Sequence, residues 1–261
     1  MANSATIITR PHLVVPYLVD GDIAHQAHAL RTEYEKVARP ASTALDPEHL
    51  IWDLLYGRDD LSLDNETSLG VDGSGERIVG SMNVVPPGGV IYIDADVVGK
   101  PFYSFTVAHE IGHWILHRAF VLEQLCHDRA LMEGGMGRPA GMLHTLSSGV
   151  TEEPRLADLL REEWQANCFA SHLLMPEQLI RREFILRFGR PPFNYTEHCR
   201  DERGFARRFR DLRSFCRYAA EYRTVPGRQN LMEVCGVSRS AMAYRLEKLG
   251  MVVTASKNNE F

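Results

Sequence analysis

Two histidines four residues apart, with a carboxylate directly after the first, could hold a metal ion and carry acid–base chemistry beside it: His109-Glu110-Ile111-Gly112-His113. On an α-helix, residues i and i+4 stand one turn apart on the same face, so both imidazoles can reach one ion. Glu110 points about 100° away around the helix axis. That is too far round to join them as a ligand, and well placed to polarise a water in the metal's open position. The surrounding residues are apolar: Phe105, Val107, Ala108, Ile111, Trp114, Ile115 and Leu116. The helix must therefore be largely buried, and polar side chains within it need partners. A lone buried histidine is commonly a hydrogen-bonded core residue. Two at ligand spacing call for a third ligand.

A second segment supplies one. From Pro154, the residues Leu156, Leu159, Leu160, Trp164, Cys168, Phe169, Leu173 and Leu174 form a long apolar helix face, closed by Met175-Pro176. Ala166 and Ala170 let another helix approach closely, and the helix bearing His109 is the candidate. Glu163 then faces the metal. Asn167 lies one turn further along the same face, where it can hydrogen-bond the non-metal nitrogen of a ligand histidine. Glu162 lacks such a partner at i+4 and reads as an exposed carboxylate. His117 reads equally as structural or catalytic, and Tyr103 and His172 are candidates for a donor to a developing oxyanion. Cys126-His127 with His144 forms a weaker second grouping whose spacing fits no metal pattern.

The elements that must position these residues follow from periodicity and punctuation. Asp20 to Arg39 has helical spacing, with Ile23, Ala27, Leu30, Tyr34 and Val37 on one side, and Pro40 ends it. Asp46-Pro47 sets an N-cap before a proline at the first helical position; Leu50, Ile51, Leu54 and Leu55 form the apolar face, and Gly57 is the expected stop. Three strand candidates, Asp60–Leu63, Arg77–Val85 and Val90–Asp94, are separated by glycines and prolines. A small antiparallel sheet leading into the metal helix is the expected assembly.

Composition sets limits. At 261 residues, with 44% hydrophobic and 24% charged content, the chain resembles an ordinary soluble globular protein. No apolar run approaches the ~20 residues that span a bilayer, and the N-terminus has no signal-peptide core, so a cytoplasmic protein without membrane partners is expected. Five scattered cysteines without a CxxC pair argue against a disulfide framework and a thiolate zinc cluster. The net charge of −5 hides an asymmetry: residues 1–186 carry 14 Lys+Arg against 26 Asp+Glu, and residues 187–249 carry 14 against 7. Acidic first part and basic second part suggest separate partners.

The basic part ends in Gln229-Asn230-Leu231-Met232-Glu233-Val234-Cys235-Gly236-Val237-Ser238-Arg239, followed by Ser240 to Gly250. This reads as two short helices joined by a tight turn at Gly236, with Ser238 capping the second: helix-turn-helix grammar. As a nucleic-acid reader it would present Arg239, Tyr244 and Arg245. As a structural subdomain it would pack Leu231, Val237, Met242, Leu246 and Leu249.

The two ligand-bearing segments together resemble the ImmA/IrrE family of zinc metallopeptidases, a gluzincin-like group. The family pattern, aromatic-Thr-x-Ala-His-Glu-x-Gly-His-x-x-x-His, is matched by Phe105-Thr106-Val107-Ala108-His109-Glu110-Ile111-Gly112-His113-Trp114-Ile115-Leu116-His117. Its second part, Glu-x-x-Ala-Asn-x-Phe-Ala running to Leu-Leu-Met-Pro, is matched by Glu163-Trp164-Gln165-Ala166-Asn167-Cys168-Phe169-Ala170 and Leu173-Leu174-Met175-Pro176. The C-terminal helices also resemble a segment that often follows this peptidase domain. The resemblance implies one zinc ion held by His109, His113 and Glu163, with Glu110 as general base. It further implies cleavage of a helix-turn-helix repressor or antitoxin, which regulates transcription. The fold class expected is α+β: a zincin-like domain, with a small sheet packed on the two ligand helices, followed by a helix-turn-helix-like module. Its divisions are an N-terminal extension with one helix (1–45) and the metallopeptidase domain (46–186) with an irregular insertion (119–153). An Arg-rich helical insertion (187–225), the module (226–252) and a tail (253–261) follow. The competing reading is a DNA-binding regulator or antitoxin-like interaction protein with a sensory peptidase-like domain.

Overall fold

The computed structural model describes residues 16–38, 44–132, 141–146, 154–195, 209–224 and 227–254, with side chains other than those of 124–132, 141–146 and 154–160. It is a mixed α+β structure in which a four-stranded sheet packs beside the two long helices that carry the site.

Helix α1, Asp20–Val37, buries Ile23, Ala27, Leu30 and Tyr34 at helical spacing, whereas Val37 is exposed. The helix packs on α5 (Pro154–Leu174), so residues 20–37 are joined to the core. Helix α2, Pro47–Leu50, starts where the sequence indicates: the Asp46 side chain accepts from the Glu48 amide at 3.0 Å, with Pro47 following. A π-helical turn, Ile51–Leu55, continues it into α3, Tyr56–Asp59. The stop is Asp60, in the left-handed region at φ 54°, and the helix runs past Gly57.

The sheet runs in the order β1-β3-β2-β4, with β1 Leu61–Asp64, β2 Ile78–Val85, β3 Gly88–Ile93 and β4 Gly141–Leu146. Strands β2 and β3 form an antiparallel hairpin, but β1 lies on the far side of β3 and pairs with it in parallel, Leu61 opposite Gly89. The sheet is therefore mixed, not antiparallel. The long connection from β1 to β2 lets the chain cross over before the hairpin forms. Strand β4 falls within the segment expected to be irregular, and it pairs with β2 across a register shift between Ile78 and Gly80. Helix α4, Tyr103–Met132, likewise extends well beyond His117 into that segment.

Helix α6, Glu177–Phe188, and strand β5, Phe193–Asn194, lead to α7, Leu212–Glu221, opened by an Asp211/Ser214 capping box. Helix α7 buries Phe215, Cys216, Ala219 and Ala220 against α9, Arg239–Lys248, so the described part of the expected insertion is core. Before α9 stands α8, Leu231–Cys235, with an Asn230/Glu233 capping box. Gly236 at φ 64° makes the turn, and Ser238 accepts from the Ala241 amide at 3.2 Å. Of the five residues the structural reading packs, Leu231, Val237, Met242 and Leu246 are buried and Leu249 is half-buried. Strand β6, Val252–Val253, pairs in parallel with β5. Cys168, Cys216 and Cys235 are free thiols. Among the described residues no helix is long and apolar enough to cross a membrane.

Candidate metal centre

Helices α4 and α5 meet where their small residues allow it. A Cβ placed on Gly112 would lie 3.1 Å from both the Cα and the carbonyl oxygen of Ala166, and 3.2 Å from the Phe169 Cβ. With no side chain at 112, the backbones come close enough for groups on both helices to share one point. His109, His113 and Glu163 converge there, each offering one ligand atom within 4.8 Å of the others. They are the one such group of His, Cys, Asp and Glu among the described residues. Glu163 Oε2 is 3.2 Å from His109 Nε2, and Oε1 is 3.3 Å from His113 Nε2. Both imidazoles are buried, while the Glu163 side chain keeps 31% exposure and opens the cluster to solvent.

The chemistry of the donor set fits a cation. The two Nε2 atoms face each other at 2.9 Å. His109 Nδ1 lies 3.2 Å from the Asn167 side-chain oxygen, to which it can only donate, so the neutral ring carries its lone pair on Nε2. His113 is set the same way through its Nδ1, which lies 3.0 Å from His117 Nδ1. Two lone pairs and a carboxylate turned on one point are stable only around a positive charge. Burial lowers the His109 pKa, but the hydrogen bond and charge of Glu163, with help from Glu110, outweigh it, and the net shift is upward. Burial raises the Glu163 pKa in turn, and its bonds to His109 and His113 hold the carboxyl well below the usual carboxylate range. His117 behaves oppositely: burial and the charge of His113 push it down to about 3, so it is neutral.

Glu110 is fully buried against the sheet, and a Cβ on Gly80 of β2 would sit 2.5 Å from its Oε1. Gly80 lies at the register shift between β2 and β4.

The sequence-derived ligands His109, His113 and Glu163, the adjacent Glu110 and the supporting Asn167 are thus brought together. Other expectations are corrected. Glu162 is not an exposed carboxylate; it is 3% exposed, because α5 is covered by other elements on more than its metal-facing side. Arg245 is 1% exposed, its guanidinium donating to the Met175 carbonyl at 3.1 Å and lying 3.1 Å from His172 Nδ1. Its charge is turned inward, because α9 packs that face toward His172 of α5. Arg239 is exposed and paired with Glu221 at 3.3 Å, and Tyr244 is exposed with Arg213 over its ring. His172 bonds Asp20 at 3.3 Å as well as Arg245, nine residues beyond Glu163 and half a rotation round α5, away from the ligands. The Tyr103 hydroxyl donates to Glu48 and accepts from Asn65, both at 2.8 Å; burial and Glu48 raise its pKa to about 12, though Asn65 opposes them. The partners of both side chains are groups other than His109, His113 and Glu163. The side chains of Cys126, His127 and His144 lie outside the described residues. Sequence reasoning missed Gly80, and also Gln165, whose side-chain amide lies 2.9 Å from both His117 Nε2 and the Pro16 carbonyl. The i+4 step from His113 to His117 was the only sequence signal near them.

A scan against protein-family models and a search of curated proteins both find no match for this chain.

Proposed function

We propose that this chain is a zinc-dependent endopeptidase of the ImmA/IrrE type, with a zincin-like domain and one zinc ion held by His109, His113 and Glu163. The observation that carries this reading is the convergence of two imidazole Nε2 atoms and a carboxylate on one partly open point. The residue pattern from Phe105 to His117 and from Glu163 to Pro176 supports it. Bound zinc would supply Lewis acidity, polarising a peptide carbonyl and lowering the pKa of a water toward ~7. Glu110 then accepts the proton of the attacking water on its carboxylate and returns it to the leaving amine. Gly80 leaves room for that carboxylate beside β2. Asn167 keeps the His109 lone pair directed inward.

The substrate is proposed to be a protein, a helix-turn-helix repressor or antitoxin, with cleavage regulating transcription in the cytoplasm. The C-terminal helices are read as a helix-turn-helix-like support that packs Leu231, Val237, Met242 and Leu246, and the burial of Arg245 favours support over DNA binding. Glu110→Gln provides the test. It should keep its zinc, lose cleavage and trap an uncleaved partner when co-expressed with candidate repressors. Retained cellular function in Glu110→Gln would instead favour the binding-protein reading.

A further inference from the structure

A chain of hydrogen bonds leads from the metal cluster into the N-terminal segment. The Pro16 carbonyl can only accept, so the Gln165 Nε2, 2.9 Å away, must be the amide's donor end. Gln165 Oε1 is thereby turned to His117 Nε2, at 2.9 Å, and that nitrogen must carry the proton. A neutral His117 then has its lone pair on Nδ1, which faces His113 Nδ1 at 3.0 Å. His113 must bring the proton to this contact, leaving the lone pair of its Nε2 among His109 and Glu163. Each polarity is dictated by the one before, and the first is fixed by a backbone carbonyl 149 residues away from Gln165 in sequence. His113, His117 and Gln165 are all buried, so water cannot substitute for a missing member. Asn167, which serves His109, is exposed, and water can stand in for it.

We propose that His117 is a positioning residue of the metal centre: with Gln165 and the Pro16 carbonyl it holds His113 in the single tautomer able to bind an ion through Nε2. The inference rests on the metal-binding half of the reading above and not on peptide hydrolysis. In the other tautomer His113 would aim an N–H at the ion, and the cluster would lose one of its three ligands. Support of this kind for a ligand histidine is worth about 10–100-fold in metal affinity.

The test is zinc affinity by chelator competition in the full chain, for wild type, His117→Leu and His117→Asn, with no cleavage assay involved. His117→Leu fills the space without an acceptor and should bind zinc about 10–100-fold more weakly. His117→Asn keeps an oxygen acceptor near the position of Nδ1 and should recover most of that loss, although its side chain is smaller. Long-range ¹H–¹⁵N spectra of zinc-loaded wild type should show His117 protonated on Nε2 alone. A His117 protonated on Nδ1 overturns the proposal, as does wild-type affinity in folded His117→Leu. Equal losses in both variants would also overturn it, because they would mark space filling. Should His117→Leu not fold, the wild-type spectrum decides. Zinc binding with this tautomer but no cleavage sinks only the peptidase reading; a wild type that binds no zinc sinks both.

Discussion

Replacing Gly80 by alanine separates the position of Glu110 from everything else the fold does. The added Cβ would stand 2.5 Å from Glu110 Oε1, 3.1 Å from its Cδ and 3.2 Å from its Cγ. Ordinary contact begins near 3.5 Å, so the carboxylate must retreat by about 1 Å. It can do so, since the obstructing atom is the end of a flexible side chain. The backbone of Gly80 is outside the left-handed region, so alanine fits and should gain about 0.5–1 kcal/mol in the strand. A general base displaced by about 1 Å costs on the order of 10²-fold in rate, or about 2.7 kcal/mol of transition-state stabilisation. Gly80→Ala should therefore keep its zinc and lose no Tm while kcat falls about a hundredfold. A peptide selected for cleavage by the wild type supplies the assay, alongside elemental analysis and thermal unfolding. Gly112→Ala is the contrast: its Cβ meets the Ala166 backbone at 3.1 Å, which cannot swing aside, so the helices must part and zinc affinity and stability should fall together. Wild-type kcat in Gly80→Ala would refute the placement of Glu110 as the base. Loss of zinc in that variant would show that the carboxylate belongs to the ligand set.

Glu163→Ala should abolish zinc binding and cleavage, whereas Glu162→Ala should retain zinc yet lose about 1–3 kcal/mol of stability because that carboxylate is buried; zinc content and urea unfolding distinguish them. Arg245→Ala should cost stability, about 2–5 kcal/mol, by removing a buried guanidinium bonded to the Met175 carbonyl; a folded variant whose only defect is weaker DNA binding would contradict this. Acid should destabilise the metal-free protein from about pH 6.5, where an unfolded His117 starts to bind protons, and more steeply below about pH 4.5, where Glu163 joins it. The raised His109 is already protonated in both folded and unfolded chains there and contributes no slope. The depressed Glu163 binds protons in the unfolded chain first, and so does His117, whose folded pKa is pushed down to about 3, so both draw the equilibrium toward unfolding. Urea titrations between pH 6 and 3 should show the fall, with a shallower slope in His117→Asn; an unchanged slope would remove His117 from the account.

What a single helical turn can encode was legible in the residues alone. His109 and His113 share a face because of a four-residue step, and Glu163 and Asn167 share another for the same reason. The caps at Asp46 and Ser238 are equally local, and each lies where its residue type indicated. Tertiary structure decided whatever depends on which distant segment arrives. The parallel pairing of β1 with β3 and the addition of β4 to β2 join stretches whose own patterns name no partner. Glu162 and Arg245 carry charges that composition assigns to the surface, yet the elements packed around α5 bury the first and α9 turns the second inward. Gly80 looks like any strand glycine until a helix sets Glu110 against it. Gln165 and Pro16 acquire their meaning only when α5 meets the N-terminal segment, because a hydrogen bond's direction is fixed by its partner, and that partner comes from elsewhere in the chain.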